Sequence, residues 1–121
     1  MSREKQSLKA AMKDISELES EFWKNIKITG SEGDFNQTLE KAGRVADFIE
    51  LGHLMCRDAI EREESCGAHA RIEYLVESGD AKRDDENYSH VAAWEFQDGG
   101  PILHKEDLLF EFIKPSVRDY K

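Results

Sequence analysis

Two polar clusters carry the residue types that could do chemistry. The first is Glu61-Arg-Glu-Glu-Ser-Cys-Gly-Ala-His-Ala-Arg71 and the second is Arg83-Asp-Asp-Glu-Asn-Tyr-Ser-His90. In the first, His69 has the residue type of a general acid and Arg71 that of an anion clamp. Against this, Glu61, Glu63, Glu64 and Glu73 surround the pair and would repel a dianionic substrate. The alternating signs of Arg62, Glu63, Glu64, His69 and Arg71 suit charge-assisted pairs that pin a turn between two elements, and this structural reading is the favoured one. Cys66 is a candidate reactive thiol, but nothing in the sequence marks a thiolate-stabilising setting, so an inert cysteine is the simpler assignment. The second cluster offers the hard oxygen ligands of calcium or magnesium. It lacks the regular alternation and glycine of a calcium loop, and suits instead a turn or helix cap in which Asp84 or Asp85 accepts backbone N–H bonds and Arg83 pairs nearby.

The elements that must position these clusters are helical before them and extended after them. Leu8, Ala11, Met12, Ile15, Leu18 and Phe22 recur at three- and four-residue steps. They predict an amphipathic helix over about 2–25, with Ser2 as its cap and Glu4 in the first turn. Gly30, Gly33 and the polar residues up to Asn36 form a loop. A second helix is expected from Asp34 or Asn36 to about Glu64, with a wide apolar face containing Leu39, Val45, Phe48, Ile49, Met55 and Ala59. Gly43 and Gly52 on this helix suggest close approach of another backbone, and His53 reads as a hydrogen-bonded core histidine. Gly67 is expected to take a left-handed conformation and to close the helix.

From Ile72 to Lys82 the chain reads as a loop turning at Ser78-Gly79-Asp80. Val91 to Phe96 then predicts a strand bearing Trp94 as a core or interface anchor, and Gln97-Asp98-Gly99-Gly100-Pro101 predicts a turn. A second strand begins at Ile102. Alternation of Leu108, Phe110 and Phe112 with Leu109, Glu111 and Ile113 predicts that extended structure continues to Pro115. The fold class is therefore α+β, mainly α: an antiparallel helical hairpin over 1–66, then a loop and a small antiparallel β hairpin or meander over 67–121.

Length and charge narrow the function. A chain of 121 residues is one domain, short for a flavin enzyme or any other that needs a dinucleotide-binding unit. With 26 acidic against 17 basic residues, the net charge of -9 opposes binding to nucleic acid or to an anionic membrane. No apolar run suits membrane insertion, and residues 1–18 do not resemble a secretory signal. Two cysteines, Cys56 and Cys66, make no disulfide framework, and a reducing compartment is expected.

The two clusters together resemble the C-terminal domain of the flavoprotein subunit of succinate dehydrogenase and fumarate reductase. That family's pattern runs roughly R-E-E-S-R-G-A-H-x-R, a spacer, then R-D-D-E-[NH]-[WYF]-x-x-[HV]. Arg62, Glu63, Glu64, Ser65, Gly67, Ala68, His69 and Arg71 match it, as do Arg83, Asp84, Asp85, Glu86 and Asn87. Cys66 stands where most relatives have Arg, so the role of that Arg is not carried over. Arg118 to Lys121 is similar to the short basic-aromatic tail of these proteins. L-aspartate oxidase, with a similar E-S-R-G-x-H turn, is the nearest competitor, and a free-standing adaptor docking a partner helix is the alternative of a different class.

The resemblance implies a three-helix bundle whose first helix lies upstream of Met1, and a chain that is part of a larger subunit. It implies that FAD, the substrate-orienting Arg and His residues and the histidine bearing covalent FAD lie in upstream flavin-binding and capping domains. No catalytic, cofactor or metal residue is then expected here. Arg62, Glu64, Ser65, Gly67, His69, Arg71, Arg83, Asp84, Asp85 and Asn87 become a structural motif or domain interface in which Arg71 or His69 contacts the acidic run. Expected partners are the upstream domains, the iron–sulfur subunit, and a second copy for the isolated chain. The expected location is cytoplasmic, with the parent complex at the cytoplasmic face of the inner membrane.

Overall fold

A computed structural model describes residues 2–30 and 35–116. Asp34 and the tail from Arg118 to Lys121 lie outside the described residues. The order is α1 (Lys5–Asn25), α2 (Gln37–Glu61), a 3-10 turn (Ile72–Tyr74), α3 (Asp85–Tyr88), β1 (His90–Glu95) and β2 (Ile102–Asp107). The α+β, mainly α class holds. The chain divides into a helical unit, 2–63, and a C-terminal unit beginning at Glu64.

In the helical unit α1 starts later than expected. Its N-cap is Glu4, whose side chain makes no capping bond. The Ser7 hydroxyl instead donates to Glu4 O at 2.9 Å, so Ser2 does not serve as the cap. At α2 the cap is Asn36, whose Oδ1 accepts from Thr38 N and Leu39 N and so occupies two amides that the helix start leaves open. Leu8, Ala11, Met12, Ile15 and Phe22 are half-buried, while Leu18 at the same periodicity remains exposed. Lys5 Nζ lies 3.0 Å from Glu63 Oε1, setting the start of α1 beside the end of α2 as an antiparallel hairpin requires.

The wide apolar face of α2 is only partly used. Ile49 and Ala59 are buried, whereas Leu39, Val45, Phe48, Leu51 and Met55 are exposed. Among the described residues neither glycine receives a neighbouring backbone. A Cβ at Gly43 would meet nothing within 4 Å, and one at Gly52 would meet only the Ile15 side chain, at 3.7 Å. The expectation failed because Gly43 lies on the exposed side of α2, and at Gly52 the side chain of Ile15 already fills the gap between the helices.

In the C-terminal unit β1 and β2 pair antiparallel from His90↔Asp107 to Glu95↔Ile102. Half-burial alternates along β1 at His90, Ala92 and Trp94, giving the hairpin one inner face. The turn is closed by Gly100 N donating to Gln97 O, with Gly100 at φ 110°. Strand structure does not continue to Pro115. β2 stops at Asp107, Leu108 N makes one further bond to Ser89 O, and Leu109 and Phe112 are 85% and 94% exposed. The alternating segment after β2 pairs with neither outer edge of this two-stranded sheet. Its period of two states a propensity, and pairing needs a partner.

Across the hairpin, His104 Nε2 lies 2.6 Å from Glu95 Oε2, and this hydrogen bond, with one from Gln97, holds the Glu95 carboxyl below its usual pKa. A carboxylate depressed by folding stabilises the paired state above its unfolded pKa and loses that contribution as pH falls through the folded value. NMR of the strand amides should therefore report constant pairing at neutral pH, weakening under acid, and Glu95→Gln should flatten that response. Asn36→Ala should lower stability by about 1 kcal/mol in chemical denaturation, because two amides at the start of α2 lose their acceptor.

Candidate functional site

The two polar clusters meet inside the C-terminal unit, around a turn built by Ser65 to Arg71. α2 ends at Glu61 rather than Glu64, because its C-cap Arg62 adopts an extended ψ of 96°. Gly67 consequently does not close the helix. It takes φ 58° as the first central residue of a tight turn in which Cys66 N donates to His69 O and His69 N to Cys66 O, at 2.9 and 3.0 Å. Glycine suits this position, where a β-carbon would be strained.

Outside this inner pair lies a second closure. Arg71 N donates to Ser65 Oγ at 2.8 Å, and the same hydroxyl donates to Arg71 O at 3.0 Å. Arg71 O also accepts from Tyr74 N, which ties the turn to the 3-10 element. Ser65 and Arg71 are fully buried and Glu64 nearly so. Among the described residues no buried side-chain nitrogen or oxygen lacks a partner, as the cost of desolvating polar groups demands.

The buried Arg71 guanidinium is met by Glu73, with Nε 3.0 Å from Oε2 and Nη2 3.4 Å from Oε1, and lies 5.3 Å from the Tyr74 ring centroid. Glu64 joins the first cluster to the second: its Oε2 accepts from Asp84 N at 2.8 Å. Ser65 N donates to Lys82 O alongside it. The halves of the motif thus converge through Glu64 and Ser65, and Arg71 is met by Glu73. Sequence reasoning had counted Glu73 only as surrounding charge. Its signal was position, two residues beyond Arg71 on a short 3-10 turn.

The acidic run forms a cap, as its composition suggests. Asp84 Oδ1 accepts from Asn87 N at 3.2 Å, and Asn87 Nδ2 donates to both Asp84 oxygens at 3.1 and 2.9 Å, locking the single turn of α3. Arg83 pairs with Asp85, Nε to Oδ1 3.0 Å, and that bond holds the guanidinium pKa above its usual value. Arg83 Nη1 also donates to Ser116 O at 2.9 Å, fastening the segment before the tail. Between the clusters, 72–82 is more ordered than a plain loop. Leu75 bridges Ala81, Val76 N donates to Asp80 O, and Gly79 supplies φ 87° at the turn. Arg62 caps α2 in the helical unit, its N–H donating to Asp58 O.

Chemically, this arrangement spends its polar groups on backbone amides and carbonyls and on internal carboxylate–guanidinium pairs. Among the described residues no group of three or more His, Cys, Asp and Glu side chains is placed to hold a metal ion. Ser65→Ala should cost roughly 1–3 kcal/mol in chemical denaturation, since it strands the buried N–H and removes one bond from the carbonyl of Arg71. Gly67→Ala should cost about 1–2 kcal/mol, because the space around Gly67 is open and only the backbone strain remains. Gly67→Asn should recover part of that loss.

The model of the family described as fumarate reductase flavoprotein C-term matches residues 1–120. The chain is 34% identical over 123 aligned positions to a fumarate reductase flavoprotein subunit of Helicobacter pylori, covering 98% of this chain and 16% of the relative. It is 29% identical over 119 positions to the subunit of that name from Haemophilus influenzae, covering 98% and 19%. For the Escherichia coli subunit of the same name the values are 30% over 107 positions, covering 88% and 17%. The chain thus spans less than a fifth of the length of these relatives. Matched almost from end to end by the family model, this chain belongs to the fumarate reductase flavoprotein C-terminal family.

Proposed function

We propose that the chain works as a structural domain of a flavoprotein subunit that interconverts succinate and fumarate, supporting the part that carries FAD. The observation that carries this reading is the self-satisfied polar cluster: Glu64, Ser65 and Arg71 are buried and engaged with Asp84, with the Arg71 backbone and with Glu73. A dicarboxylate site needs several cations converging on a cavity, whereas Arg71 and Arg83 are each held by a neighbouring carboxylate. Broad apolar surface on α2 and in the segment after β2 suits a domain that rests against other parts of an assembly.

The described residues do not fit FAD. A dinucleotide needs a strand, a glycine-rich turn and a helix N-terminus in succession. Here the sheet is a single antiparallel hairpin, and Gly67, Gly79 and Gly100 sit in turns that open no helix. In our reading FAD, the substrate-orienting groups and the hydride transfer belong to flavin-binding and capping domains. Electrons would pass to or from a quinone through an iron–sulfur subunit, placing the parent complex at the cytoplasmic face of the inner membrane and within respiratory electron transport or the tricarboxylic acid cycle.

The test is biochemical. The purified chain should show no flavin absorbance and no turnover of succinate or fumarate with an artificial electron carrier. Co-expressed with a related flavoprotein subunit truncated before this domain, it should co-purify and restore flavin retention. Flavin bound by the chain alone, or failure to associate with the truncated subunit, would overturn the reading.

A further inference from the structure

The tip of the β hairpin carries a chemistry that the polar clusters do not use. Gln97 to Gly100 form its turn, closed by Gly100 N donating to Gln97 O at 2.9 Å, and its two central residues, Asp98 and Gly99, are both exposed. Neither of them lies in the left-handed region, which is taken up by Gly100 at φ 110°. Among the described residues the Asp98 carboxyl meets no donor and the Gly99 N–H no acceptor. A Cβ built at Gly99 would meet nothing within 4 Å. The peptide plane between the two residues can therefore turn without breaking a hydrogen bond or displacing a neighbour.

We propose that Asp98-Gly99 is a site of spontaneous isomerisation to isoaspartate in the folded chain. Rotation of the peptide plane brings Gly99 N to Asp98 Cγ. The nitrogen attacks the carboxylic acid, a C–N bond forms, and the carboxyl hydroxyl leaves with the amide hydrogen as water, closing a succinimide ring. Water then adds to one of the two ring carbonyls. Opening at the side-chain carbonyl restores aspartate, whereas opening at the main-chain carbonyl leaves the chain running through Cγ, with the former main-chain carbon as a free carboxylate. The atoms balance with water alone, lost in one step and regained in the next, and nothing is oxidised or reduced.

Glycine favours the attack, since a side chain on the attacking residue would crowd the ring closure. No other Asp or Asn in the chain precedes a glycine. Folding also restrains the competing acids: Asp80 accepts from Ser78 Oγ at 2.6 Å, Asp84 from Asn87 Nδ2 at 2.9 Å, and Asp85 pairs with Arg83. Asp14, Asp47 and Asp58 are held within helices. The product adds a methylene to the main chain between the strands. The closure at Gln97 and the Glu95↔Ile102 pair beside it should loosen, while the far end, tied by Leu108 N to Ser89 O, stays paired. The new carboxylate is the substrate class of an isoaspartyl carboxyl methyltransferase, whose sulfonium donor transfers a methyl group to it and leaves as the thioether. This inference is independent of the flavoprotein reading, because it follows from the hairpin turn alone.

The full chain, aged for weeks in warm neutral buffer, should accumulate isoaspartate at position 98. Peptide mapping reads the position, and methyl transfer from a labelled sulfonium donor, with such a methyltransferase as probe, reads the amount. Accumulation at Asp98 should exceed that at Asp80 or Asp107 by about tenfold or more, because only Asp98 is followed by the unhindered nitrogen of a glycine. The rate should stay within a few-fold of that in a peptide spanning Phe96 to Ile102, since the fold does not restrain the turn. Gly99→Val and Asp98→Glu should each remove the signal, the first by crowding the nitrogen and the second by requiring a larger ring. If Gly99→Val disturbs the strand amides by NMR, Asp98→Glu, which keeps the charge, provides the same readout. Isoaspartate formed by the peptide but absent from the aged chain overturns the proposal, as does equal accumulation at Asp80 or Asp107. A signal that persists in Asp98→Glu overturns it too.

Discussion

The C-terminal unit depends on one hydroxyl. Ser65 Oγ accepts from the N–H of Arg71 and donates to its carbonyl, so a single buried side chain satisfies both polar groups of a buried backbone residue. Without that closure the turn would have to strand the Arg71 N–H in the interior or admit water to it. Everything else in the motif follows from the requirement to bury these groups with partners. Gly67 permits the tight inner turn, Glu73 meets the guanidinium, and Glu64 reaches the Asp84 amide. A network of this kind is strong when complete and costly when any member is missing, which explains why so many residues in a short stretch have particular roles.

The same geometry shows why the side chain at position 66 is free to vary. The inner turn uses only the backbone of residue 66, which exchanges two hydrogen bonds with His69. A change of side chain there leaves the closure in place. Arg83, linked to Asp85 and to Ser116 O, holds the acidic cap and the end of the described chain together.

Apolar burial in both units is modest, and the polar network carries much of the definition. Only Ile49 and Ala59 form a buried apolar core among the described residues, while Phe48, Met55, Leu109 and Phe112 face outward. A sequence that maintains a helical stripe and an alternating segment without covering them within the chain is suited to association. This agrees with membership of a family whose matched relatives are five or more times longer than the chain.

Much of this was readable in the residues. Periodicity placed both helices, Asn36 marked the start of the second, the glycine-rich turn located the hairpin, and the order and spacing of the Arg62–Arg71 and Arg83–Asn87 clusters identified the family. These signals are local: a cap, a turn or a period of 3.6 is determined by residues a few positions apart. What required tertiary structure was every choice among distant partners. The alternation after Leu108 became an exposed segment that joins neither edge of the two-stranded sheet, Gly67 closed a turn instead of a helix, and Arg71 met Glu73 while Glu64 made the reach to Asp84. Spacing shows which groups are available to pair; which of them do so depends on where burial removes water, and that is decided only when the chain is folded.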